Sequence, residues 1–302
     1  MVDEGKGEPE HEIKARWPVE QRLEFIDFRL FWEGRVNRSD LVSYFGVSVP
    51  QASADLARYQ QSAPGNLIYD KSAKTYVIGP DYRPTFFTPS ADAYLAQLRL
   101  LSSGILSEEQ TSVSQPPAFS VMPILRRRLE PELLRRIMRA VRATQALEVL
   151  YQSISRSEPI WRWISPHALG FDGSRWHLRA WCHQRNAFRD FVIARVLEVR
   201  SEKPTQVDFK TDHGWHQEVT LRIGPHPNLT AGARQAIELD YGMTNGAVEL
   251  TTRACLSTYV ERYLGLDLDP QVVPSERQQL VLLNRQEVEK ARAEASGTCD
   301  PT

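Results

Sequence analysis

Cysteine is scarce in this chain: 302 residues contain only Cys182, Cys255 and Cys299. Three widely separated thiols do not make a disulfide framework, and their spacing matches no zinc site. Long apolar runs are missing too. Nothing approaches the roughly 20 residues needed to cross a bilayer, and the first residues are acidic rather than signal-like. The expectation is a soluble, cytoplasmic protein without a membrane partner. There is no GxxxxGK phosphate loop and no convincing pair of carboxylates for acid–base work. Cys182 and His183 are adjacent, so on a strand they face apart and make a poor nucleophile and base. Asp212, His213 and His216 form only a weak metal pattern. No catalytic residue, metal or cofactor is therefore expected. Strong charge of either sign is also absent, since the formal net charge is −1.

That average conceals segregation. Residues 1–15 carry Asp3, Glu4, Glu8, Glu10 and Glu12 against Lys6 and Lys14, with few apolar residues; this composition predicts a disordered acidic tail. The middle of the chain is cationic. Arg126, Arg127, Arg128, Arg135, Arg136, Arg139 and Arg142 face only Glu130 and Glu132. Between 156 and 195, seven arginines face Glu158, Asp172 and Asp190. Arginine suits planar, bidentate contact with phosphate or carboxylate. The hydrophobic share of 41% is that of an ordinary globular protein, and the length suggests two or three domains.

From Pro18 the spacing of Val19, Leu23, Ile26 and Leu30 predicts a helix that stops at Gly34. A short helix holding Leu41, Val42 and Phe45 ends at Gly46, and Ser48 can cap a second one with Pro50 in its first turn. In that helix Ala52, Leu56 and Tyr59 point inward by spacing. Gln51, Ala54 and Arg58 lie outward, with Ser53 beside them. Two β-rich runs, Leu67–Tyr69 and Thr75–Ile78, flank a turn with Lys71 and Lys74. Helix, helix-turn-helix, hairpin is the winged-helix order, although a small α+β domain can produce it as well. Basic and acidic residues balance at eight each between 16 and 82.

Further helices are expected over 89–106 and, carrying a stripe of Leu125, Leu129, Leu133, Ile137 and Val141, from Pro123 to Thr144. The arginines around this second helix are either a solvated face or a phosphate-facing one. From Leu147 the apolar period becomes two, in runs broken by Ser-Pro and Asp-Gly, which suggests a small barrel or a curled sheet. Strand alternation in SRWHLRAWC sends Trp176, Leu178, Ala180 and Cys182 to one side, and Arg175, His177, Arg179 and Trp181 to the other. Few acidic residues lie nearby, so a cluster of cations on one strand face points to an anionic ligand. Beyond residue 213 strand and helix alternate as in a small α/β sandwich, and the stretch from Gln286 is either a helix or a frayed tail.

The string RWHL followed by FRDFVIARV, with YQS upstream and SPHAL between, resembles the WYL domain of bacterial transcription regulators. The naming tripeptide is here Trp176, His177 and Leu178, so His177 stands in place of tyrosine. The RWHLRA variant is similar to that of the BrxR/CapW-like repressors of phage-defence islands. The resemblance covers nearly the whole chain and implies an α+β multidomain fold. Its parts are an acidic tail (1–15), a winged helix-turn-helix (16–82), a helical connector (83–145), a WYL domain of Sm- or SH3-like small β-barrel form (146–212), a C-terminal α/β dimerisation domain (213–290) and a tail (291–302). It further implies a homodimer that binds double-stranded DNA and senses a nucleotide or nucleic acid at the barrel. Carried over, the barrel positions are Tyr151, Ser153, His167, Arg175, His177, Arg179 and Arg189.

The candidate DNA contacts follow from the outward helix face. Gln51 can read adenine through its two-pronged amide, while Ser48, Ser53 and Arg58 can hold phosphates. Pro50 sits in the first turn, Ala54 lets the helix approach base edges, and Lys71 and Lys74 reach the backbone beside the groove. With its charges balanced, one module binds weakly; two in a dimer on an inverted repeat bind specifically. The expectation is a repressor of a phage-defence operon, released by an anionic ligand. The alternatives are an RNA- or single-stranded-DNA-binding accessory protein and, less favoured, a metal-dependent nucleic-acid-processing enzyme.

Overall fold

The computed structural model describes residues 18–123, 125 and 127–296; the expected acidic tail and Cys299 lie outside them. The chain divides between Leu125 and Arg126 into two compact units.

In the first unit, α1 (Val19–Glu33), β1 (Arg35–Val36), α2 (Arg38–Phe45), α3 (Val49–Ser62), β2 (Leu67–Asp70), β3 (Thr75–Ile78) and α4 (Ala91–Ser102) follow in order. The strands form an antiparallel sheet in the order β1-β3-β2. Apolar spacing explains the core: Leu23, Ile26 and Leu30 of α1 meet Leu41 of α2 and Ala52, Leu56 and Tyr59 of α3. The turn between α2 and α3 needs Gly46, whose φ of 62° is left-handed backbone that costs other residues energy. Strand β1 has no signal in the sequence, because two residues carry no periodicity. Helix α4 is tied to α1 by aromatics, with Tyr94 stacked on Trp32 at 4.4 Å and Phe28 at 6.3 Å from Tyr94.

The second unit begins with α5 (Pro131–Arg142). The apolar stripe predicts a helix from Pro123 to Thr144, but the helix starts eight residues later. Pro131 has no N–H to give and disfavours helical backbone at the residue before it; Glu130 accordingly takes ψ 127°. Leu125 is 96% exposed and outside the stripe, while Leu129, Leu133, Ile137 and Val141 join the core. Five antiparallel strands follow: β4 (Gln145–Tyr151), β5 (Ile160–Phe171), β6 (Trp176–Cys182), β7 (Ala187–Val192) and β8 (Val196–Pro204). They are ordered β7-β6-β5-β4-β8, and a 3-10 turn at Ile193–Arg195 connects the outer two. This sheet occupies the region expected to be the WYL domain, with Leu147, Val149, Ile164, Leu178, Ala180 and Phe191 in its core.

A short helix α6 (His213–His216) leads to β9 (Glu218–Pro225), α7 (Ala231–Asp240), β10 (Val248–Arg253), α8 (Ala254–Leu264), β11 (Leu280–Leu282) and α9 (Arg285–Ser296). Antiparallel strands in the order β10-β9-β11 carry these helices on a separate core of Leu221, Ile223, Ile237 and Leu266. The stretch after Gln286 is helical, because Val288 and Ala295 anchor α9 in that core. Among the described residues no helix is long and apolar enough to cross a membrane.

Candidate DNA interface and effector region

The outward face of α3 is built from behind. Ser48 caps the helix by accepting a hydrogen bond from the Gln51 backbone N–H at 3.3 Å, and Pro50 needs no N–H partner in the first turn. Ala52, Asp55, Leu56 and Tyr59 are buried. Val49, Pro50, Gln51, Ala54 and Arg58 are exposed and Ser53 is half-buried, its hydroxyl donating to the Val49 carbonyl. Lys71 and Lys74 sit exposed in the β2–β3 turn, which Asp70 shapes by accepting from the Ser72 and Ala73 N–H groups.

Two buried carboxylates that sequence reasoning misses hold this face in place. Asp55 accepts from Arg22 Nε at 2.6 Å and Nη2 at 3.1 Å, a bidentate pair joining α3 to α1. Its Oδ1 also accepts from the Gln51 amide at 3.0 Å. One amide hydrogen of Gln51 is thereby used, and its orientation is set before any DNA arrives. Asp27, fully buried, accepts from the Tyr59 and Tyr82 hydroxyls and from the Thr85 and Phe86 N–H groups. Burial and then the hydrogen bond to Asp27 push both tyrosine pKa values well above the ordinary range, so both remain neutral donors. Asp55 has a local signal, lying on the inward line with Ala52 and Tyr59. Its partner Arg22, 33 positions away, has none.

The seven barrel positions do not form one wall. His167, Arg175, His177 and Arg179 come together on one side of the sheet. Arg189 pairs with Ala180 across the β6–β7 ladder, whereas Arg179 pairs with Asp190; alternation therefore puts Arg189 on the opposite side from Arg179. Tyr151 is in the core, its hydroxyl accepting from the Val192 N–H, and Ser153 pairs with Ser155 in the following turn. Trp176, expected among the core-facing residues, is 52% exposed: it lies at the hairpin end, beyond the core, and packs on Phe171 at 4.9 Å.

The expected shortage of acidic partners is overturned. Arg179, 11% exposed at its side chain, gives Nε and Nη2 to Asp212 at 2.8 Å each and Nη1 to Asp190 at 3.2 Å. His167 Nε2 is 2.8 Å from Asp212, and its ring stacks on Phe209. Asp172 takes Arg175 Nε at 2.7 Å and His177 Nε2 at 2.8 Å. Burial raises the pKa of both Asp172 and Asp212, but hydrogen bonds outweigh it: from His177, Ser174 N–H and Arg175 for Asp172, and from Arg179 and His167 for Asp212. Both stay ionised, well below the usual carboxylate range.

This network also reaches the C-terminal region. The Tyr259 hydroxyl of α8 donates to Asp190 at 3.2 Å, and its ring stacks on His177 at 4.7 Å. Asp212 caps α6. Gly214 leaves room there for the guanidinium, since a Cβ would sit 2.9 Å from Arg179 Nη2 and push it aside. Sequence reasoning identifies neither Asp212 nor Tyr259 as a partner of the strand cations, because no local pattern connects residues so far apart in the chain.

The comparisons follow the same divisions. A BrxR transcriptional regulator winged helix-turn-helix domain matches residues 18–100, a WYL domain residues 132–201, and a BrxR transcriptional regulator C-terminal dimerization domain residues 218–288. The DNA-binding transcriptional repressor CapW of Stenotrophomonas maltophilia is 44% identical over 281 residues, covering 92% of this chain and 93% of that protein. The CapW repressors of Pseudomonas aeruginosa and Escherichia coli are 38% and 37% identical over 274 residues, 91% of this chain and 92% of theirs. Proteasome accessory factor B/C (PafBC) of Arthrobacter aurescens covers 98% of this chain, which spans 52% of its length, but at 17% identity and a TM-score of 0.23 it bears on neither fold nor site. The family-model and CapW matches are to transcriptional regulators, not enzymes. The chain belongs to the BrxR/CapW-like family of WYL-domain transcriptional regulators.

Proposed function

We propose that this chain is a homodimeric, sequence-specific repressor of a phage-defence operon. It binds an inverted-repeat operator through α3 and the β2–β3 wing, and an anionic ligand, a nucleotide or nucleic acid, acts on the WYL domain to lower that binding. The observation that carries the reading is the outer face of α3, where a pre-oriented Gln51 stands beside exposed Ala54 and Arg58 over a rigid buried support. A helix of this kind places its N-terminal residues against base edges in the major groove. Small Ala54 permits close approach, Gln51 can still accept and donate one hydrogen bond to a base, and Arg58, Lys71 and Lys74 meet phosphates.

The balanced charge of the winged helix leaves little non-specific attraction, so affinity depends on two modules held together. The family's C-terminal dimerization domain supports that partner. Release requires that the ligand bind the operator-free state better than the operator-bound one.

A gel-shift titration of duplex from the gene's own upstream region tests the reading. Wild-type protein is expected to shift the duplex, Gln51→Ala to weaken the complex by about 1–3 kcal/mol through its base contact, and Arg58→Ala to weaken it further through a lost phosphate contact. A shift with single strands but none with duplex overturns it in favour of a single-strand-binding protein.

A further inference from the structure

We propose that a nucleotide unit binds in the cleft between the ends of β6 and β8 and the 205–211 loop, and that the effector of the repressor acts there. The inference rests on the ligand-controlled reading above and gives it a location away from the cations of β6. An anion at Arg175 or Arg179 has to displace carboxylates already bonded at 2.7–2.8 Å. The cleft is different. It has a volume of about 330 Å³ and is lined by Trp181, His183, Lys203, Thr205, Gln206 and Asp208, among others, and it lies within the size range of small-molecule sites.

Each wall offers a feature of nucleotide recognition. Trp181 is half-buried and set edge-on against Phe188, ring centroids 5.0 Å apart, which fixes an indole on which a base can stack. Lys203 supplies the cation. Its ammonium sits 4.0 Å from the Trp163 ring centroid, and among the described residues it has no ion-pair partner, unlike Arg175 and Arg179. His183 has its Nε2 2.8 Å from the Ser165 hydroxyl, which in turn lies 2.7 Å from that of Thr205. Burial, and then Lys203, lower the pKa of His183. With Nε2 engaged by Ser165, the imidazole keeps Nδ1 for a single hydrogen bond, and Gln206 and Asp208 add further polar groups at the rim.

The loop also connects the cleft to the rest of the unit. Phe209 stacks on His167 at 4.9 Å, and the loop ends at Asp212, which holds Arg179 and His167 and caps α6. A ligand that moves this loop moves the carboxylate at the centre of the network, and with it α6 and the C-terminal domain. A bistable element biased in this way is what ligand control requires.

Titration of the full-length protein, followed by calorimetry and tryptophan fluorescence, tests this. The probes are the common ribonucleoside monophosphates, their nucleosides, inorganic phosphate and short single-stranded oligodeoxynucleotides. Saturable binding is expected for a monophosphate or for an oligonucleotide; the first identifies a free nucleotide and the second a strand. Trp181→Ala and Lys203→Gln should each weaken it about tenfold or more. Lys203 is exposed, so its variant reports on the cleft even if the tryptophan change disturbs folding. The Lys203 variant should also retain operator binding and lose release by the ligand. Absence of saturable binding, binding of phosphate alone with equal strength, or affinity unchanged in the Lys203 variant overturns the proposal. Operator binding without ligand is measured separately: duplex bound but no nucleotide bound rejects the cleft alone, whereas no duplex bound rejects the repressor reading.

Discussion

The winged helix and the WYL sheet both carry conspicuous charge, but they place it oppositely. In the winged helix the strong pairs, Arg22–Asp55 and the bonds to Asp27, lie behind the surface and leave Gln51 and Arg58 facing outward. In the WYL sheet the charged face itself is covered, and Arg179 and His177 bond to Asp212, Asp190 and Asp172. A cluster of cations on a strand is thus no measure of an available anion site. What matters is whether carboxylates from elsewhere in the chain reach it first.

The comparison breaks most visibly on deleting a covered charge. Arg179→Ala leaves Asp212 and Asp190 without their cation, and loss of one partner of a buried pair costs about 3–5 kcal/mol. Denaturant unfolding should show this loss in the second unit, while an unchanged midpoint would mean that the network contributes nothing. Exposed residues of α3 should behave the other way. Gln51→Ala with Arg58→Ala should cost only the Gln51–Asp55 hydrogen bond, about 1 kcal/mol, and lose operator affinity instead.

Smaller effects sharpen the contrast. The folded pKa values of Asp172 and Asp212 lie below their ordinary 3.8. Their stabilisation is therefore complete above that pH and lost as pH falls through the lower folded values. His183 is depressed from 6.5, so the unfolded state binds its proton first and stability declines as pH drops through 6.5. Unfolding midpoints measured on either side of that pH should show the decline, and His183→Gln should flatten it. The weakest effect belongs to the wing: replacing Lys71 or Lys74 by Ala should reduce the salt slope of operator binding by about 1 for each phosphate no longer neutralised, with little change in sequence preference.

Much of this was legible in the sequence because it is periodic. The step pattern of Ala52, Leu56 and Tyr59 and the cap at Ser48 located α3 and its outer face. Alternation correctly put His177 and Arg179 on one side of β6. The errors arose where a pattern ran past its physical limit: the leucine stripe continued upstream of Pro131, where the backbone could not, and alternation extended to Trp176, where the core had ended. The remainder was invisible for one reason. Arg22 meets Asp55, and Arg179 meets Asp212, across 33 residues each, and nothing local to either partner announces the other. The same distance hid the cleft, whose walls come from β6, β8 and the loop after it.

Nuclease footprinting of the full-length protein on its upstream duplex tests the central claim most directly. The account predicts two protected half-sites related by a dyad, both lost together in the Gln51→Ala, Arg58→Ala variant, which remains folded. Protection that persists unchanged in that variant, or a single protected patch without a dyad, would contradict it.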